Sequence, residues 1–339
     1  MIYLLGTTGT HGGPTKFKNL FADYLFQNDI FFRVDEEGLN FNMIVKFKRF
    51  LSDLLFLLKN RKKVNIFIIN GTSRVFIQLV AKVLNIQITI RLDGYKYYEV
   101  KYLSFNKSLI AFIRKIIVSI NIILSDKIIF QSDFIKTTYL LSSLEYFIRK
   151  KKFIVILNPC NLNPYKRDKG ESILCVEGSI GGIYSKKILK IFSKYKQVFV
   201  VGDVSDNEKI KDVNYLGRLE RDNLTILFKQ NWFAYLPLEP FPPCPNSMIE
   251  AITYGIPVIA SSSGSNPEIL ENSNLIFKVP FKWKDDLSNI EIEETEINEK
   301  LILLDNNWNL YHDYSVKISK KFETHKILNE YINFILSEN

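Results

Sequence analysis

One stretch of this chain concentrates residue types able to hold a phosphate group: Glu239-Pro-Phe-Pro-Pro-Cys-Pro-Asn-Ser-Met-Ile-Glu250, running on through Gly255-Ile-Pro-Val to a second glycine turn at Gly264-Ser-Asn-Pro-Glu268. Prolines and polar caps ahead of a helix leave its first backbone amides without intrahelical partners, which makes a ready site for a diphosphate. Asn246 or Ser247 is placed to cap the helix, and Gly255 followed by Ile-Pro stops it. The amides of Asn246, Ser247 and Met248 then face an anion. Glu250, one turn in, offers a carboxylate to ribose hydroxyls. Val258-Ile259-Ala260 reads as a buried parallel strand. An ordinary strand-helix-strand unit is the plainer alternative, but prolines, cap, carboxylate and two glycine turns together favour a ligand site.

Three other places carry candidate chemistry. Gly6-Thr-Thr-Gly9-Thr-His11-Gly12-Gly13-Pro14 follows the first strand and precedes a helix, where α/β sheets meet ligands. Its spacing departs from the dinucleotide fingerprint, which argues against an oxidoreductase, and a tight structural turn is the alternative. Arg91-Leu-Asp93-Gly94 closes a predicted strand, either lining a ligand site or forming a self-contained ion pair. Glu177-Gly178-Ser179 ends another strand with backbone and hydroxyl donors for phosphate. Lys186 and Lys187 on the next helix either neutralise a diphosphate or face water. No Asp-x-Asp or Cys/His cluster suggests a metal, and no cofactor is expected.

Strands and helices alternate almost throughout, which predicts an α/β fold with parallel sheets and right-handed crossovers. Strands are expected at Ile2–Leu5, Ile30–Val34, Asn65–Ile69, Ile86–Arg91, Lys127–Gln131 and Phe153–Leu157, with helices between them, including a long one over Phe41–Lys59. Asn158 to Pro164 is polar and proline-marked, and the hinge between two domains is expected there. The same grammar restarts at Ser172–Glu177 and runs through strands at Val198–Val201, Val213–Leu216 and Trp232–Leu236. Asp285–Glu299 reads as an acidic surface excursion. The domains are expected at 1–157 and 158–314.

These residues carry a resemblance. The run around Glu250 resembles the nucleotide-sugar site of retaining family 4 (group 1) glycosyltransferases. Glu250-Ala251, Gly255-Ile-Pro257-Val258 and Gly264 with Pro267-Glu268 match the family's pattern, with Ser265 in place of the second glycine of the turn. Ser125-Asp126, Gln131-Ser132-Asp-Phe134, Asn158-Pro159 and Gly217-Arg218-Leu219 match other family elements. The resemblance implies two facing Rossmann-like domains of the GT-B type with a cleft between them, a last helix (about Ser315–Leu336) returning to the first domain, and metal-independent transfer with retention. It implies catalytic roles for Glu239, Glu250 and His11. Donor contacts would come from Gly12, Gly13, Gly178, Ser179, Lys186, Lys187, Arg218, Asn246, Ser247, Met248 and Glu250, with Arg91 and Asp93 on the acceptor side. The implied partners are a nucleotide-sugar donor and a saccharide or polyprenyl-linked acceptor in bacterial surface polysaccharide synthesis.

The pattern also departs from the family. The family's first acid lies eight residues before the second, where this chain has Pro242; Glu239 lies eleven before it. Either the loop has grown and Glu239 still reaches the donor sugar, or that carboxylate is absent. Ser179 stands where an arginine is common. A histidine usual near Arg91–Gly94 is missing, so its role falls to His11 or is lost. A nucleotide-sugar epimerase and a non-catalytic binding relative stay open as alternatives.

Composition sets the frame. The chain has 339 residues, 47% hydrophobic and 14% aromatic, enough for two folded domains. Three widely spaced cysteines indicate neither a disulfide framework nor a zinc site. The first residues read as a strand with no signal-peptide features, and a cytoplasmic location is expected. Residues 1–157 hold 24 Lys and Arg against 11 Asp and Glu, whereas the remainder holds 21 against 25. Lys46, Lys48, Arg49, Lys59, Arg61, Lys62 and Lys63 bracket an apolar helix, a pattern that suits peripheral contact with an anionic membrane surface or a merely solvated face. No nucleic-acid-binding signature accompanies the charge, and none is expected as partner.

Overall fold

The computed structural model describes residues 1–5, 13–34, 43–69, 75–94, 105–163, 165–179, 181–280, 287 and 290–337. The chain forms two compact units, Met1–Asn158 with His325–Asn339, and Pro159–Thr324. The first contains β1 (Ile2–Leu5), α1 (Gly13–Gln27), β2 (Phe32–Val34), α2 (Met43–Asn60), β3 (Asn65–Ile69), α3 (Val75–Val83), β4 (Ile88–Leu92), α4 (Phe105–Leu124), β5 (Lys127–Phe130), α5 (Asp133–Leu140), α6 (Glu145–Arg149) and β6 (Lys152–Val155). Their strands form one parallel sheet in the order β2-β1-β3-β4-β5-β6. The uninterrupted apolar runs of β1 and β3 are explained by burial on both faces. One face is packed by α2 to α6 through Leu57, Ile77, Ile122 and Ile148. The other is covered by α1 and the C-terminal helix Thr324–Leu336, where Phe17, Phe21, Phe67 and Tyr331 pack as an aromatic cluster.

Arg91 holds this unit together at one point. Its guanidinium is fully buried, 4.0 Å over the Phe17 ring of α1. Nε donates to the Tyr331 hydroxyl at 3.1 Å and Nη2 to Asn158 Oδ1 at 2.7 Å. Nη1 lies 2.6 Å from Asp93 Oδ1, which also accepts from Gln131 Nε2. Burial nonetheless pushes the Asp93 carboxyl above its ordinary range, against the pull of Arg91 and Gln131. A second cation, Lys127, donates to the carbonyls of Phe334 and Ser337 and so fastens the end of the C-terminal helix to β5. Burial pushes its ammonium down to about 8.

The second unit runs β7 (Ser172–Ser179), α7 (Ile183–Phe192), β8 (Gln197–Asp203), β9 (Val213–Gly217), α8 (Arg221–Phe228), β10 (Ala234–Tyr235), α9 (Asn246–Thr253), β11 (Ala260–Ser261), α10 (Asn266–Ile269), β12 (Ile276–Phe277), α11 (Glu294–Asn306) and α12 (Trp308–Ser319). The parallel order is β10-β7-β8-β9, and a bridge from Tyr235 to Val258 leads on to the parallel pair β11-β12. Arg167 clamps the ends of two helices, donating to Phe228 O at 2.8 Å, Gln230 O at 2.6 Å and Tyr254 O at 2.8 Å. A guanidinium there satisfies carbonyls that a helix end leaves open.

Two expectations need correction. The acidic stretch Asp285–Glu299 is not all surface excursion: α11 starts at Glu294 and buries Ile297, Leu301 and Leu304. Its apolar period of i, i+4, i+7 lies mostly beyond the acidic window. The stretch Ser315–Leu336 is not one helix. It breaks at a short 3₁₀ turn, Lys320–Phe322, followed by Glu323 with ψ of 124°.

The proline loop after β10 is pinned from the glycine turn. Ser265 N–H donates to Pro242 O at 2.9 Å and the Ser263 hydroxyl to Pro240 O at 2.5 Å. Gly264 sits between them at φ +60°, and a Cβ there would lie 2.5 Å from Pro242 Cδ and 2.6 Å from its nitrogen. Pro242, where the resemblance implies an acid, is a buried packing residue.

Gly264→Ala is expected to cost about 2–4 kcal/mol, combining a left-handed backbone with an unrelieved contact, as read by denaturant unfolding. Arg91→Met strips Asp93 of its cation and is expected to cost about 3–5 kcal/mol in the same measurement. An unchanged midpoint for either variant would contradict the packing described.

Candidate functional site

The carboxyl edge of the second sheet gathers most of the donor-side candidates. β7 ends at Glu177, Gly178 and Ser179, with Ser179 in register with Asp203 at the end of β8. Gly178, Gly181, Gly182 and Gly217 all have open space where a Cβ would stand. Gly182 and Gly217 also have positive φ, at +90° and +67°, so glycine suits the backbone there as well as the vacancy. In an open parallel sheet this edge is where ligands sit.

Helix α9 begins beside it. Pro245, not Asn246 or Ser247, occupies the N-cap, and no side chain caps the helix, which corrects the expected capping role. The first intrahelical bond runs from Ile249 N–H to Pro245 O at 3.1 Å, so the amides of Asn246, Ser247 and Met248 lie ahead of the ladder. The Ser247 hydroxyl instead accepts from Tyr235 Oη at 2.9 Å, and the same phenol lies 3.0 Å from Val176 O. That bond ties the helix start to β7 and β10. Burial, with the nearby Glu177 charge, pushes the Tyr235 and Tyr184 phenols well up, so Tyr235 stays a hydrogen-bond donor. Glu177 Oε1 accepts from Leu238 N–H at 3.1 Å and fixes the start of the proline loop. Glu239 follows, half-buried in that loop.

Glu250 is 4% exposed and pairs with Arg221 at 2.8 Å between Oε2 and Nη1. Arg221 opens α8, and its side chain is 56% exposed. The Glu250 pair raises the guanidinium pKa against the effect of burial. A buried carboxylate needs such a cation, and here the cation keeps one face toward solvent. Sequence reasoning passed over Arg221. It lies three residues beyond Arg218, and its signal was its place at a helix start just after the Gly217 turn.

The remaining candidates are placed as follows. Arg218 reaches Asp203 at 3.7 Å, both side chains being exposed. Lys186 pairs with Glu208 at 3.0 Å, and Lys187 donates to Ile290 O, so both ammonium groups are engaged on protein acceptors. In the first unit Gly13 opens α1, while His11 and Gly12 lie outside the described residues. Arg91, expected on an acceptor side, is buried, with its guanidinium engaged by Tyr331, Asn158 and Asp93. Asp93 is less covered, and its Oδ2 has no hydrogen-bond partner among the described residues. His312 Nδ1 donates to Gly255 O at 2.7 Å and its ring stacks on Trp308, and His325 packs edge-on to Tyr24. Among the described residues no helix is long and apolar enough to cross a membrane.

Known proteins share this architecture. The chain is similar in structure to sucrose-phosphate synthase from Thermosynechococcus elongatus, at 12% identity and a TM-score of 0.66, covering 98% of this chain and 97% of that one. It is similar to the lipopolysaccharide outer core galactosyltransferase WaaB, at 17% identity and a TM-score of 0.62, over 98% of each chain. It is also similar to HepE of Anabaena in complex with UDP and glucose, at 14% identity and a TM-score of 0.65, over 99% of each. No curated protein sequence matches the chain. These likenesses establish a Rossmann-like α/β fold matching GT-B glycosyltransferase structures. The family described as glycosyl transferases group 1 matches residues 128–301, a span that includes β7, Glu250 and both glycine turns. With more than half its length inside that match, the chain belongs to the group 1 glycosyl transferases.

Proposed function

We propose that this glycosyltransferase is a retaining, metal-independent enzyme that moves a sugar from a nucleoside diphosphate donor to a saccharide or lipid-linked acceptor in surface polysaccharide synthesis. The observation carrying this reading is the start of α9, with three amides ahead of the helical ladder and the Glu250 carboxylate one turn behind. Amides so oriented stabilise the charge that develops on a departing diphosphate more than that of the bound donor, which is the condition for catalysis. Glu250, paired with Arg221, is placed to accept hydrogen bonds from the ribose diol. The anomeric C–O bond breaks through an oxocarbenium-like state, the acceptor oxygen bonds to the same face, and its proton leaves with the diphosphate. The open glycine turns leave room for base and phosphates. Support for a uridine donor comes from HepE, whose structure holds UDP and glucose, and for a polysaccharide acceptor from WaaB, which acts on lipopolysaccharide outer core.

A thermal-shift panel of nucleoside diphosphates and their sugars tests the donor class, because a ligand at a hundred times its Kd stabilises by about 2.7 kcal/mol. No shift with any of them would sink the reading. Glu250→Gln is expected to weaken UDP-sugar affinity about tenfold or more with little change in Tm, since it leaves behind a half-exposed arginine and not a buried charge. Arg221→Gln should weaken it alone, yet add nothing in the Glu250→Gln background, because it acts through that carboxylate. Additive losses would show a direct contact between Arg221 and ligand. Donor incubated alone should stay unchanged, whereas formation of an isomer would move the assignment to an epimerase of the same fold.

A further inference from the structure

We infer that the outer face of α2, α3 and α4 is a docking surface for an anionic lipid bilayer. The three helices lie side by side on one face of the first sheet, joined by the Phe50–Phe76 ring contact at 5.2 Å and the Gln78–Asn121 hydrogen bond at 2.8 Å. Each turns its sheet-facing side to the core, as a helix of this layer must. The opposite side is ordinarily polar. Here it is not.

On α2 the residues Leu51, Leu55 and Leu58, spaced i, i+4, i+7, are exposed, Leu55 by 66%. On α3 Phe76, Leu79 and Val83, spaced i, i+3, i+7, are exposed, Phe76 by 62% and Val83 by 87%. On α4 Phe112 is 56% exposed and Ile116 and Ile123 follow it down the same side. Single exposed apolar residues need no account, but three helical stripes on neighbouring helices form a patch, and patches of that kind mark interaction surfaces. Leucines and phenylalanines on one face of a cationic helix suit burial at the boundary of headgroups and acyl chains.

Charge selects the occupant. Lys48, Lys59, Arg61, Lys62, Lys63 and Lys115 are exposed around the patch, and no ion pair engages them among the described residues. From Met43 to Lys63 the sequence holds one acid, Asp53, which is buried against Arg33; from Val75 to Leu92 and from Phe105 to Leu124 it holds none. A second copy of the same face would bring like charges together. An anionic bilayer answers both components at once, with headgroups for the rim and acyl chains for the stripes. The inference does not rest on the donor-site reading, and vesicle binding is measured without any sugar transfer.

The test is co-sedimentation of the full chain with phosphatidylcholine vesicles, with and without one-third phosphatidylglycerol, at low and high salt. Wild type should bind the anionic vesicles, much less the neutral ones, and bind more weakly as salt rises. Replacing Arg61, Lys62 and Lys63 by glutamine should lower the partition coefficient about tenfold or more. A separate variant, Leu55→Ser with Phe76→Ser and Val83→Ser, should lower it comparably while circular dichroism and Tm stay unchanged, since all three positions are exposed. Wild type that ignores anionic vesicles, or binds neutral ones equally, overturns the inference. So does vesicle-free dimerisation that the apolar variant abolishes, which would assign the face to a second copy.

Discussion

The proposed donor site depends on one constraint: the chain between β10 and α9 must be rigid enough to fix the direction of a short helix beside the sheet edge. An eight-residue helix has little stability of its own, and its direction is set by what precedes and follows it. Four prolines between Glu239 and Asn246 limit the loop's freedom. The carbonyls of Pro240 and Pro242 are then taken by Ser263 and Ser265. At the far end, Arg167 holds Tyr254 O and His312 holds Gly255 O. Both ends of α9 are therefore fixed by groups from outside it, which sets the direction of its first amides. Preorganised donors cost no reordering at the moment charge moves, which is why they suit a leaving diphosphate.

The same constraint explains why Pro242 and Gly264 matter as a pair. The close approach of the glycine turn leaves no space for a Cβ at Gly264, and the proline ring fills the gap that results. A carboxylate at position 242 would sit in that buried contact and lose its hydration. Glu239, at the mouth of the same loop and half-buried, is the carboxylate the loop does present.

Much of this was legible in the sequence, for physical reasons that differ by element. Apolar runs bounded by glycines announced the buried parallel strands, because burial on both faces leaves no polar alternation. The short helix bearing Glu250 and the two glycine turns around it were legible because their spacing follows from helix and turn geometry. Arg221 and Arg167 were not found, because what makes them important is the distance across the fold from residue 221 to residue 250 and from 167 to the ends of two helices. No local pattern encodes that. Arg91 was singled out and left between two readings; the partners that bury it, Tyr331 and Asn158, are 240 and 67 residues away. Helix α11 was hidden by its acidic approach, and the capping residue was misread because a proline at the N-cap offers no side-chain signal.

The distribution of charge decides which forces can act at the proposed donor site. From residue 158 onward acids outnumber bases, so at long range this half of the chain repels an anion weakly. Ionic screening at physiological salt reduces that repulsion beyond about 8 Å. A diphosphate bound as proposed would therefore be held at contact distance, by the first amides of α9 rather than by a long-range field. The basic half carries its charge elsewhere, around an apolar helical layer. A diffuse positive field over the donor site would attract any phosphate, whereas short-range donors in a fixed array distinguish one geometry from another. Recognition built on geometry also tolerates changes in distant surface charge.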